Sequence, residues 1–310
     1  MRTSRRVGGP AMTVTGYRSV GAAALVSRGR GLLALDQPCT MLHDVLRGAR
    51  IPATERHCGA LRELVLGTPG LDRLAGGLLV TPAALPAAVG RIPVGVRMDS
   101  REDASVVARH ADGGATFAAV TVDGSPRRAA AWASACQRAG LVPLVEYHLT
   151  AGPHDCLAAA EAAHTVAIGA LMAALHRAGT DPGGVLLGVR PVVPGTRSSE
   201  VDAAEDCARA TVRSLRDAGA CAVAGVVFSP PRRAGQLAAH LAAVQWLRPG
   251  WTVGFCLGAS LLAPVAKAWR GRPERVAGAR HELLTRLTCV SAVLRATGPP
   301  PAGGAAGSSA

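Results

Sequence analysis

The chain has 310 residues, 49% of them hydrophobic, and a formal net charge of +13. A mean hydropathy of +0.24 excludes a disordered chain, and the length suits one large α/β domain with a real core. Lys267 is the only lysine among 34 basic residues, and the arginines are scattered beside only three Phe and two Tyr, which argues for a compositional bias toward arginine and alanine over a nucleic-acid partner.

Residues 1–13 form a basic extension containing Arg5 and Arg6, expected to be disordered, with Met12 as a second candidate start. No apolar core follows, so neither a secretory nor a twin-arginine signal is expected. No uninterrupted apolar run approaches about 18 residues, so no membrane span is expected either. The apolar runs then follow in order: Gly31–Asp36, Ala75–Thr81, Pro93–Asp99, Ala115–Val122, Leu141–Tyr147, Gly184–Pro191, Cys221–Ser229 and Trp251–Gly258. Each is apolar on both faces, as a covered parallel strand is. Helical segments lie between most of them. Ser100 opens one as a cap, Ala203–Ala220 has an acidic start and a glycine end, and Asp155–Gly179 is long. Eight β–α units in about 250 residues is the count of a (β/α)8 TIM barrel. The expected architecture is therefore a single barrel domain over 14–296, followed by a Pro/Gly/Ala/Ser-rich tail over 297–310.

Eight cysteines stand at Cys39, Cys58, Cys136, Cys156, Cys207, Cys221, Cys256 and Cys289, with no CxxC pair. They read as reduced, buried small hydrophobes of a cytoplasmic protein, not as a disulfide or zinc framework.

Several runs carry a family resemblance. "RGLLALDQ" ends on Asp36, "LVPLVEY" carries Glu146, "GGVLLGVRPVVPG" follows, and "FCLGASLLAPVAKAW" closes the series. In this order they resemble strands 1, 5, 6 and 8 of class I fructose-bisphosphate aldolases, over roughly Ser27 to Arg295. The resemblance implies a TIM barrel, a glycolytic lyase activity, a homo-oligomer, an acid/base role for Glu146, and for Asp36 the position of the family's strand-1 aspartate. The departures fall on the chemistry. The family's strand-6 Schiff-base lysine is Gly188, and its strand-4 lysine and arginine are Ala119 and Thr121. The strand-3 lysine is Arg97. The strand-7 phosphate loop has become Ser229 to Arg233 with Pro230 and Pro231, which offer no N–H to an anion. The strand-8 arginine is Ala259. An imine needs a primary amine at the barrel mouth, and arginine cannot supply one. Lys267 matches a helix position outside the strands. Schiff-base aldol chemistry is therefore not expected.

The expected site lies at the C-terminal strand ends. Asp36, Arg97 and Glu146 are expected to converge there, with a gap above Gly188. Glu146 and Asp36 would act as acid or base, Arg97 and Arg190 as clamps for an anionic small molecule. His148 and the helix start at Gly258 are further binding candidates. The competing reading is that these groups form a structural ion-pair network. Glu146, His148, His154 and Cys156 are a weak metal candidate, because their spacing fits no strong motif. No cofactor, nucleic acid or membrane is called for. Three functions stay open: a degenerate aldolase homologue without aldol activity, a repurposed acid–base enzyme on an anionic metabolite, and a working aldolase.

Overall fold

In each apolar run the side chains alternate between two buried faces, and the runs close on themselves. The computed structural model describes residues 21–85, 91–99, 105–122, 124–201, 203–230 and 236–296. Eight parallel strands form a closed barrel in chain order. They are β1 (Gly31–Ala34), β2 (Ala75–Val80), β3 (Val94–Arg97), β4 (Phe117–Thr121), β5 (Val142–Tyr147), β6 (Leu186–Val189), β7 (Gly225–Phe228) and β8 (Thr252–Leu257). β1 closes the ring against β8 through Leu32↔Cys256 and Leu33↔Leu257.

Around the barrel run α1 (Cys39–Gly48), α2 (Glu55–Leu66), α3 (Val106–Asp112), α4 (Pro126–Arg138), α5 (Leu157–Arg177), α6 (Ala204–Asp217), α7 (Leu237–Trp246), α8 (Ala259–Trp269) and α9 (Val276–Arg295). Local chemistry sets several starts. Thr54 accepts from the His57 N–H ahead of α2, proline opens α4, and Glu205 with Asp206 sit in the first turn of α6, each matching a known helix-start preference.

Two cores follow from the period-2 alternation. Leu32, Ala34, Leu79, Phe117, Ala119, Leu144, Leu186, Val227 and Cys256 fill the barrel interior. Leu33, Val80, Val96, Val120, Val145, Leu187, Val226 and Phe255 belong to the larger core shared with the helices. The lower end is plugged by the 3-10 turn Ala22–Leu25 and Val26; a Cβ on Gly254 would meet Val26 at 2.6 Å.

Three expectations are corrected. The seventh strand starts at Gly225, because Ala220–Ala222 form a 3-10 turn after the left-handed Gly219. Gly184 likewise ends a 3-10 turn ahead of β6. All eight cysteines are free, as expected, but Cys156, Cys221 and Cys289 are exposed rather than buried. α5 is long and apolar enough by composition to cross a membrane. Here it lies on the barrel wall between α4 and α6 and buries Ala160, His164, Ile168, Leu171, Ala174 and Leu175. The proposed terminal segments 1–13 and 297–310, the Ser100 cap, and Pro231 to Arg233 lie outside the described residues.

Candidate functional site: an ion-paired barrel mouth

Strand alternation decides which side chains enter the mouth. Phe117 and Ala119 face the interior, so Thr121 does too. Leu144 is followed inward by Glu146, and Leu186 by Gly188. Asp36 lies two residues beyond the inward Ala34, just past the end of β1. The parallel register sets Thr121 beside Glu146 and Glu146 beside Gly188.

These residues meet. Arg97 Nε donates to Asp36 Oδ2 at 2.5 Å, and Arg97 Nη1 donates to Glu146 Oε2 and to Thr121 Oγ1, the latter at 3.2 Å. Thr121 Oγ1 also donates to Glu146 Oε2 at 3.3 Å. The two carboxylate side chains are 4% and 3% exposed, whereas Arg97 is 33% exposed. The guanidinium thus covers two buried acids from the solvent side. Burial disfavours the charge of Arg97, but Glu146 and then Asp36 outweigh it and hold its pKa above the ordinary arginine value. Burial, reinforced by Glu146, pushes the Cys256 thiol up, so that group is a neutral wall of the interior. Asp36 Oδ1 is buried without a partner.

The space above Gly188 is not the open gap expected. A Cβ there would lie 2.9 Å from Glu146 Cγ, because the glutamate side chain leans over the glycine. Lys267 stands exposed in the last turn of α8. Among the described residues, no lysine therefore faces the mouth.

The remaining candidates divide. His148 lies just beyond β5, with Nε2 3.3 Å from Ser229 Oγ. Burial lowers its pKa, with Arg190 and Arg97 adding to the effect and Glu146 opposing it. Arg190 turns away from the ion pairs, its Nη1 3.4 Å from Thr150 Oγ1. Gly258 caps α8, but Gln37 Nε2 would meet a Cβ there at 2.7 Å, so the Gln37 amide already lies at that helix start. The weak metal set is not assembled. Among the described residues no three His, Cys, Asp or Glu side chains are grouped for a metal. His154 is exposed, and Cys156 Sγ accepts from Ala159 N as the cap of α5. Asp155, just ahead of it, accepts from Gly152 N at 2.6 Å. Thr121 was the missed member of the site. Its signal was its place in the alternation, hidden because the position reads against the family pattern as a lost arginine.

A family model described as glycolytic, fructose-bisphosphate aldolase class-I, matches residues 113–300. Cytosolic fructose-bisphosphate aldolase 7 of Arabidopsis thaliana is 30% identical, covering 86% of this chain and 87% of its own. The chain belongs to the class I fructose-bisphosphate aldolase family. A probable class 1 aldolase of Xylella fastidiosa (strain 9a5c) is 28% identical over 80% of this chain and 88% of its own. A solved structure of Plasmodium falciparum fructose-bisphosphate aldolase, in complex with TRAP and a small molecule inhibitor, matches with a TM-score of 0.77 at 25% identity. That match covers 88% of this chain and 92% of the other. The expected TIM barrel is thus the fold of the family.

Proposed function

We propose that this aldolase-family chain forms no Schiff base and does not perform the family's aldol cleavage. Gly188 carries the reading. It stands where the family's strand-6 lysine is expected, and Glu146 occupies the space such a side chain needs. The sole lysine is on an outer helix. An imine supplies the electron sink of that reaction, and no arginine replaces it.

Arg97 is already paired with both acids, so the triad carries two negative charges against one positive and is a poor clamp for a sugar bisphosphate. The strand-7 exit begins Ser229-Pro230, where proline has no N–H for a phosphate. The chain therefore acts as a degenerate homologue, and its cytosolic relative supports a cytoplasmic location.

A second reading rests on Asp36 Oδ1, which is buried without a partner. A free lone pair at a barrel mouth suits a base or a substrate hydroxyl, so a repurposed acid–base enzyme is the alternative. Purified protein incubated with fructose 1,6-bisphosphate should release no triose phosphate. Cleavage that disappears in Lys267→Ala would overturn the proposal.

A further inference from the structure

The cysteines are spread along the whole chain and are all free, yet two of them meet. Cys39 is the first residue of α1, and Cys58 lies near the start of α2. The two helices pack against each other, and the Cys58 thiol shares a hydrogen bond with Cys39. A second set of contacts fixes the same juxtaposition. Arg62 lies one turn after Cys58 on α2, so the two share a helix face. Its Nε donates to Leu35 O at 3.0 Å and its Nη2 to Gln37 O at 2.6 Å, in the segment that leads from β1 into α1. Arg62 thus clamps to α2 the stretch of chain that ends on Cys39, and it keeps the two sulfurs side by side.

The two thiols are not equivalent. Cys58 is fully buried, whereas Cys39 is only partly buried and packs on the same core from its edge. Burial, with Cys39 adding and Arg62 opposing, pushes the Cys58 thiol up, so it stays protonated at neutral pH. A reagent from solvent reaches Cys39 first, and the protonated Cys58 stands behind it. That is the arrangement of an attacking thiol and a resolving thiol.

We propose that Cys39 and Cys58 form a redox-active thiol pair that a small hydroperoxide oxidises to an intramolecular disulfide. The Cys39 sulfur attacks one peroxide oxygen. The O–O bond breaks, an S–O bond forms, and the other oxygen leaves as water with the Cys39 proton. The Cys58 sulfur then attacks the Cys39 sulfenic acid. The S–S bond forms, the S–O bond breaks, and the hydroxyl leaves as a second water with the Cys58 proton. The thiol pair loses two electrons and the peroxide gains them. A small thiol reverses the bond by exchange. The disulfide fastens to α2 the chain three residues past Asp36, next to the barrel mouth. The proposal does not depend on whether that mouth is catalytic.

Peptide mapping of the full reduced chain after exposure to hydrogen peroxide tests it, with no reductant in the digest. Trypsin releases Cys39 on residues 31–47 and Cys58 on residues 57–62. These two peptides should appear joined, and dithiothreitol should separate them. Exposure alone favours Cys156, Cys221 and Cys289, so those three serve as internal controls. The 39–58 link should exceed every link through them by about tenfold or more, because thiols already in contact need no backbone movement to pair. Cys58→Ser should leave Cys39 as a sulfenic acid that dimedone labels about tenfold above wild type. The wild-type map decides the matter by itself if that variant does not fold. Peptides that stay separate, cross-links dominated by the exposed cysteines, or equal dimedone labelling of Cys39 in wild type and folded Cys58→Ser would each overturn the proposal.

Discussion

Two arcs of one barrel mouth are built differently. The arc built by β1, β3, β4 and β5 holds Asp36, Arg97, Thr121 and Glu146 in one connected set. The arc built by β6, β7 and β8 presents Gly188, Ser229 and Gly258, with no charged side chain at those positions. The first arc is tied together by its own ion pairs, with Asp36 Oδ1 left without a partner. Removing Arg97 strands two buried carboxylates, so the set contributes to stability whatever the chemistry does. The second arc has no such ion-paired set at these positions. On the proposed reading, Gly188 stands where the family's strand-6 amine is expected.

Arg97→Met should give the largest effect, because it uncovers two carboxylates that are 4% and 3% exposed. Breaking such a buried pair costs about 3 kcal/mol, the lower end of the range because Arg97 is itself a third exposed. Urea unfolding measures it, and adding Asp36→Asn and Glu146→Gln should recover much of the loss. If Arg97→Met alone is neutral, the first arc is not held by its ion pairs.

Acid should expose a second dependence. Burial pushes the pKa of the folded His164 down to about 4, whereas an unfolded histidine titrates near 6.5. Below pH about 6.5 the unfolded chain takes up a proton that the folded chain refuses. Its contribution is complete above that pH and is lost progressively as pH falls toward 4, by about 3 kcal/mol in all. His164→Gln should flatten that part of the stability–pH curve, and an unchanged slope would contradict it.

The second arc is probed by Gly188→Ala. Its new Cβ would sit 2.9 Å from Glu146 Cγ, so the glutamate must shift, at about 1–2 kcal/mol. The same change in a Glu146→Ala background should cost less, and the double-mutant cycle reads that coupling. The smallest effect belongs to Lys267→Arg. On an exposed turn of α8 it should move stability by less than about 0.5 kcal/mol.

The barrel was legible because a strand covered on both faces reads as an apolar run, and eight such runs kept their order. The convergence of Asp36, Arg97 and Glu146 was legible from strand ends, since alternation fixes which residues point inward. Thr121 escaped because a neutral residue at a position of lost charge carries no signal until its neighbour across the β4–β5 register is known. The thiol pair escaped for a different reason. Cys39 and Cys58 lie on two helices at a spacing that matches no CxxC pattern, and a contact between helices has no trace in local periodicity. Cys221 misled because a 3-10 turn after Gly219 is as apolar as the strand it precedes.

The proposed function stands on the absence of an imine-forming amine at the mouth. Its most direct test is reduction with borohydride in the presence of dihydroxyacetone phosphate, followed by peptide mapping by mass spectrometry. Unmodified peptides are expected throughout, including the one that contains Lys267. A reduced adduct on Lys267, formed only with the triose phosphate present, would contradict it.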